Sequence, residues 1–394
     1  MPDVDRRLAW LAVGTFAIST VGFAFAGLLP FIARDLAGTV TLAGFVVTAY
    51  SLAYAIGAPV LSAAAGTLDR RLLLCGAMLA FVAGNLAAAA SPGFAALVAA
   101  HVLMGAAAGL YVSTAQAAAV ALSDPDQRAL AISVVFAGTT FAVALGAPLG
   151  SLIAGLWGWR GTFLAVGVLG IACAAVLWLR LPKGSRGTRL SLGERMAAIT
   201  GPGVLPSLLV TVFNVGGGFC IVAYLGPLAF QGAGLPEIAL PAMLLNFGVG
   251  AVIGNAASGY LSDRIGAARV VLIALLSAFP MCIAFTAIIE FAPRDLAGPL
   301  LIAIMLPWGV IGWTFPPAQA SWLAGLAPAA AHLTLSLNVS ALYIGIALGT
   351  AFGGRVLEIA EPGALPLASM VFPALALVSL AVAHRSTRRP RPAE

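Results

Sequence analysis

The chain has 394 residues, of which 61% are apolar and 9% charged, and its net charge is +6. A spanning helix takes about 20 apolar residues, so this share of the chain has room for roughly twelve. Soluble enzymes, disordered chains and secreted disulfide scaffolds are excluded, because no water-soluble core hides so much apolar surface; an outer-membrane barrel is excluded because its strands alternate apolar and polar residues. The expected class is an all-α, polytopic membrane protein.

Charges are costly in a bilayer core, so stretches without Asp, Glu, Lys or Arg mark the spans. They run over 8–33, 36–68, 72–123, 129–159, 161–179, 196–236, 238–262, 270–289, 296–354 and 362–384. The first follows Arg6 and Arg7. It holds Ala24-Phe25-Ala26, which resembles a signal-peptidase site, but it continues to Arg34 and is read as a span. Run 72–123 is long enough for two helices and breaks at the turn signal Ser91-Pro92-Gly93. Run 296–354 likewise breaks near Ala327-Pro328. These ten runs, two of them doubled, give twelve helices. Between the sixth and seventh lies a basic stretch with Arg180, Lys183, Arg186, Arg189 and Arg195. The expected organisation is an N-terminal six-helix bundle (1–181), a basic linker (182–199) and a C-terminal six-helix bundle (200–394) ending in a short basic tail.

With the N-terminus in the cytoplasm, 16 of the 20 Lys and Arg residues fall on the cytoplasmic side. The others are Arg34, Arg160, Arg294 and Arg355. The positive-inside rule therefore places both termini in the cytoplasm. It also accounts for the basic balance without a nucleic-acid partner. The tail from His384 is in reach of anionic membrane lipid. The four cysteines, Cys75, Cys173, Cys220 and Cys282, all lie in apolar runs and read as small packing residues. No cofactor and no metal site is expected.

The halves repeat one another. The second helix runs into Gly66-Thr-Leu-Asp69-Arg70-Arg71, and the eighth into Gly259-Tyr-Leu-Ser-Asp263-Arg264-Ile-Gly266. The fifth carries Gly146-Ala-Pro148-Leu-Gly150, and the eleventh Gly345-Ile-Ala-Leu-Gly349. A parallel repeat implies a pseudo-two-fold along the membrane normal, and transporters built so bind substrate near the midplane.

Several segments resemble the major facilitator superfamily, in particular its 12-span drug:proton antiporter branch of arabinose-efflux-permease-like and chloramphenicol-resistance-like exporters. They are Gly27 to Leu36, with Pro30 and Asp35, the second helix from Leu42 to Pro59, Gly146-Ala-Pro148-Leu-Gly150 followed by Gly158-Trp159-Arg160-Gly-Thr-Phe163, and Asn338 to Gly345. The resemblance covers the chain and implies two pseudo-symmetric six-helix bundles that export small, neutral or amphipathic, drug-like molecules by alternating access and proton antiport. It also implies a bacterial inner-membrane protein, expected to be a monomer and not an enzyme. Three positions depart from the family pattern. Gly66 stands where an acid is usual, Gly22 where the branch often has an acid in helix one, and His101 where the helix-four motif begins with arginine.

Each candidate residue has a physical reason. Gly146 and Gly150 allow close helix packing, and Pro148 removes a backbone hydrogen bond and permits a bend. Asp69, Arg70 and Arg71, and Gly259, Asp263 and Arg264, are candidates for a charged cytoplasmic gate. All acids fall at loops or helix ends, so His101 is the coupling candidate: it titrates near neutral pH inside a charge-free run. By the resemblance, the first, fourth, seventh and tenth helices line the path. They offer Phe23; Tyr111, Ser113 and Gln116; Asn214 and Tyr224; Trp313 and Gln319. Flanking helices add Thr140, Asn246, Asn338 and Tyr343. Such uncharged hydrogen-bonding and aromatic groups suit neutral molecules. The alternative is an uncoupled facilitator for a sugar or nucleoside.

Overall fold

The computed structural model describes residues 6–36, 38–65, 67–124, 127–184, 201–327 and 331–388. Among them are 12 helices long and apolar enough to cross a membrane, and no strand. The linker arginines Arg186, Arg189 and Arg195, and Gly66, lie outside the described residues.

In chain order the helices are α1 (Arg6–Asp35), α2 (Val40–Ala64), α3 (Arg70–Ala89) and α4 (Phe94–Ala121). Next come α5, built from Arg128–Phe141, a π-helical turn Ala142–Gly146 and Ala147–Trp157, and α6 (Trp159–Arg180). α7 spans Val204–Val222 and continues through Leu225–Pro227 into a second π-helical turn, Leu228–Gly232. α8 (Leu240–Ile265), α9 (Ala267–Phe291), α10 (Arg294–Leu326), α11 (Ala331–Ile359) and α12 (Ala364–Ser369 with Val371–Arg388) complete the set.

The boundaries have local causes. The Thr39 side chain accepts from Leu42 N and caps α2. α3 and α4 part around Pro92, as expected, and α10 ends at Leu326, just before the break expected near Ala327. α5 passes into α6 at Gly158 (φ 79°), and α8 into α9 at Gly266 (φ 87°). Only glycine adopts such angles without strain, so single-residue corners follow the fifth and eighth helices.

Two compact units are present. One comprises Met1–Leu190 with Pro236–Gly248, the other Ser191–Leu235 with Val249–Glu394. In the first, α4 lies against α2 so closely that a Cβ on Gly105 would sit 2.2 Å from the Tyr50 carbonyl oxygen. In the second, α8 meets α10 the same way: a Cβ on Gly250 or Gly254 would sit 2.2 Å from the Leu306 or Val310 carbonyl. α1 packs on α5 in the first unit (Gly138 to the Ala12 carbonyl, 2.2 Å), and α7 on α11 in the second (Gly349 to the Gly216 carbonyl, 2.1 Å). First-with-fifth and second-with-fourth pairings thus occur in both halves of the chain. Small residues at these crossings let backbones touch, which is how spanning helices associate without a hydrophobic drive between them.

Candidate functional site

Among the described residues, His101 is the one His, Lys, Arg, Asp or Glu that is buried. It lies in α4, about 10 Å along the axis from Phe94 at 1.5 Å per residue, and its relative exposure is 0%. Nδ1 is 2.7 Å from the Leu97 carbonyl oxygen, one turn back. A carbonyl only accepts, so Nδ1 carries the proton and Nε2 holds the lone pair. Nε2 is buried without a hydrogen-bond partner among the described residues.

The imidazole lies between two phenyl rings. Phe25 of α1 is at 5.2 Å, tilted by 48°, and Phe163 of α6 is at 5.3 Å, edge-on at 83°. The column continues from Phe163 to Trp159 (5.9 Å) and from Phe25 to Tyr50 (5.9 Å). It ends in polar groups. Trp159 Nε1 donates to Asp35 Oδ2 at 3.1 Å, Asp35 is ion-paired with Arg160, and Arg160 Nη2 also donates to the Ser91 carbonyl at 3.1 Å. The Arg160 guanidinium lies 4.2 Å from the Trp159 ring centre. One knot therefore joins the end of α1, the α3–α4 turn and the start of α6. The sequence singled out His101 and the segments holding Phe25, Asp35 and Trp159 to Phe163 separately. It did not link them, because nothing in the spacing says that three distant helices converge on one imidazole.

In α5 Pro148 has no N–H, and the ladder widens just before it: Ala147 N–H reaches the Ala142 carbonyl, five residues back. A Cβ on Gly146 would sit 2.2 Å from Thr20 Oγ1, and one on Gly150 3.0 Å from Ala24 Cβ. Gly146 and Gly150 let α5 lie against α1.

The loop after α2 is tied inward. Asp69 caps α3, accepting from Arg71 N at 2.8 Å and from Gly184 N beyond α6. Burial raises the Asp69 pKa, but the backbone donors Gly184, Arg71 and Leu72 outweigh it, and the carboxyl lies below its ordinary value. The Arg71 guanidinium lies 4.2 Å from the Trp178 ring centre in α6, and Arg70 is half-buried. Gly259, Asp263 and Arg264, expected in a loop, instead lie in the last two turns of α8, which ends only at Ile265, and are exposed. Arg264 lies 4.4 Å from the Tyr260 ring centre and pairs with no carboxylate among the described residues.

The cavity candidates divide by what their polar atoms do. Tyr111 donates to the Leu11 carbonyl of α1 (3.4 Å), and Tyr224 to the Thr350 carbonyl of α11 (2.8 Å). Gln319 Nε2 donates to Ser207 O (2.7 Å), and its Oε1 is buried without a partner. Asn338 Oδ1 accepts from Thr211 (2.6 Å). These four join helices within a unit. Ser113 is half-buried and its hydroxyl turns back to the Gly109 carbonyl (2.8 Å). Phe23, Gln116, Asn214 and Asn246 are half-buried, and Trp313 and Tyr343 are buried. Thr140 is buried with Oγ1 unpartnered. The buried polar residues among those described include His101 and no Asp, Glu, Lys or Arg. The four cysteines are free and buried.

Residues 11–350 match the family model described as the Major Facilitator Superfamily. The chain belongs to the major facilitator superfamily. It is 32% identical over 354 residues to the MFS-type transporter YtbD of Bacillus subtilis (strain 168), covering 88% of this chain and 87% of that one. It is 30% identical to the inner membrane transport protein YdhP of Escherichia coli (strain K12), with 90% of each covered. It is 31% identical to a chloramphenicol resistance protein of Streptomyces lividans, with 86% of each covered. Among solved structures, a bacterial homolog of the human lysosomal transporter Spinster, inward-facing and occupied, shares the fold at TM-score 0.76 and 17% identity, with 100% of both chains covered. The human organic anion transporter MFSD10 shares it at 0.72 and 18%, with 97% of this chain and 100% of that one covered. The chain is thus a multi-pass membrane transport protein of a family whose members move small molecules and are not enzymes.

Proposed function

We propose that this transporter exports small, neutral or amphipathic, drug-like molecules from the bacterial cytoplasm across the inner membrane, with both termini cytoplasmic, by alternating access coupled to proton antiport. The observation that carries this reading is the buried polar set: hydroxyls, amides and one imidazole, with no acid or base beside them among the described residues. A fixed anion would need Arg or Lys in its path, and a strong cation an acid; a neutral molecule needs neither. The chloramphenicol resistance protein of Streptomyces lividans, similar over 86% of the chain, supports the same substrate class.

His101 is the coupling group in this reading. In the proposed orientation the Asp35–Trp159 end of the aromatic column faces outward. The group that takes up the proton in this reading is Nε2, the unfilled lone pair. The resulting imidazolium is a buried charge beside the Phe25 and Phe163 rings, costly to hold without an opposite charge. Protonated and neutral histidine then differ by one buried charge, and the two access states are biased differently by it. Candidate gates are the α2–α3 turn with Asp69, Arg70 and Arg71, and the end of α8 with Gly259, Asp263 and Arg264. Candidate substrate contacts are, in the first unit, Phe23, Ser113, Gln116 and Asn246 and, in the second, Asn214, Trp313 and Tyr343.

A second reading has its own observation. The Nδ1 bond to Leu97 is what a purely structural histidine makes, and it favours an uncoupled facilitator of a sugar or nucleoside. Transport of a neutral drug panel, chloramphenicol included, in proteoliposomes under an imposed pH gradient separates the two. Accumulation against concentration that is lost in His101→Ala supports antiport. Saturable movement indifferent to the gradient supports the facilitator.

A further inference from the structure

A cleft of about 670 Å³ opens in the second unit where α9 begins and where α10 and α12 end. Its lining is two-sided. Ile265, Leu272 and Leu326 are apolar, whereas Arg269, Ser321 and His384 are polar, and no carboxylate lines it. The Trp322 and His384 rings lie across it, 5.4 Å apart. Trp322 is half-buried and Arg269 exposed. Arg269 pairs with no carboxylate among the described residues. None of these groups takes part in the transport reading.

We infer that this cleft holds the head group of an anionic phospholipid. Charge is the first reason: a guanidinium with no neighbouring acid attracts a phosphate diester, and basic pockets between helix ends bind such head groups. The lining is the second. A free phosphate needs only donors, but here Leu272 lies about one turn further along α9 than Arg269, in the direction an acyl chain takes. The indole is the third, since tryptophan concentrates at the head-group level of a bilayer. The phosphate lies on Arg269, the glycerol hydroxyls face Ser321 and His384, and the upper acyl chain follows Leu272. The site rests on the proposed orientation only in naming the inner leaflet as its source.

The test uses the full-length protein in neutral detergent, where neither orientation nor transport enters, so its failure and the failure of the transport reading are distinguishable. Retained lipid is counted by native mass spectrometry during titration with phosphatidylglycerol, phosphatidylcholine or inorganic phosphate. The wild type is compared with Arg269→Gln, an exposed position where the fold is unaffected, and with Arg294→Gln, a basic residue at the other end of α10. One bound phosphatidylglycerol is expected, with affinity about fivefold weaker in Arg269→Gln, the share of one basic residue at a lipid surface. Arg294→Gln should bind like the wild type. Equal retention in wild type and Arg269→Gln, or equal binding of phosphatidylcholine, would overturn the site. Protection by inorganic phosphate alone would also overturn it, by making the ligand a soluble anion.

Discussion

Replacing Gly105 by alanine tests how closely the helices are packed. At this position α4 leaves no space: a Cβ would stand 2.2 Å from the Tyr50 carbonyl oxygen and 3.1 Å from Ala53 Cβ. The obstacle is backbone, so no rotamer change relieves it. α2 and α4 must separate by about 1.2 Å to reach an ordinary contact of 3.4 Å. Overpacking of this kind costs about 1–3 kcal/mol, against a gain of up to about 1 kcal/mol from replacing glycine inside a helix. With a mid-range overpacking cost of about 2 kcal/mol, less that helix gain, the net expectation is a loss of about 1–2 kcal/mol. Gly76 in α3 is the control, since a Cβ there meets nothing within 4 Å. Gly76→Ala keeps only the helix gain and should be neutral or stabilising. The four buried free cysteines provide the assay: a thiol-reactive dye reports thermal unfolding in detergent. Gly105→Ala should melt lower by roughly 2–8 °C on the scale of units this size, and Gly76→Ala no lower than wild type. Gly250→Ala should repeat the loss, because a Cβ there sits 2.2 Å from the Leu306 carbonyl. Equal melting temperatures for Gly105→Ala and Gly76→Ala would refute the packing argument.

Three further outcomes follow from the placement of single side chains. Tyr224→Phe removes one hydrogen bond to Thr350 O and should lower stability by about 0.5–1.5 kcal/mol, with an unchanged substrate profile in a competition panel. Gln319→Leu removes two bonds to Ser207 together with an unpartnered Oε1, so its melting temperature should stay close to that of the wild type and transport should persist. Asp69→Ala should cost about 0.5–2 kcal/mol near neutral pH through the lost cap. Because the folded Asp69 pKa is depressed, its contribution is present above the unfolded carboxyl value and fades as pH falls through the folded one. Melting curves at stepwise lower pH should therefore bring variant and wild type together in the acid range.

The helix count was legible because it depends on a one-dimensional quantity, the distance between charges. Ser91-Pro92-Gly93 and Ala327-Pro328 announced their breaks because proline and glycine act locally. Pro148 announced an irregularity in α5, because it has no N–H to give the ladder, but not that the ladder would widen into a π-helical turn. The cavity candidates were only partly legible. Sequence shows that Tyr111, Tyr224 and Gln319 are polar and in spans, but not that their polar atoms face Leu11, Thr350 and Ser207. His101 stood out as a lone ionisable group, yet its two flanking rings come from α1 and α6, and the chain gives no local sign of either. The Asp69 carboxylate read as a gate charge, and in the structure it also caps α3 and holds Gly184.

The proposal that His101 couples export to proton entry is tested most directly by proton movement itself. Purified protein in liposomes loaded with chloramphenicol and a luminal pH dye is diluted into substrate-free buffer with no imposed gradient. Antiport predicts that the lumen acidifies as substrate leaves, and that His101→Gln, which keeps the size but cannot titrate, abolishes the acidification. Substrate efflux without acidification in the wild type, or undiminished acidification in His101→Gln, would contradict it.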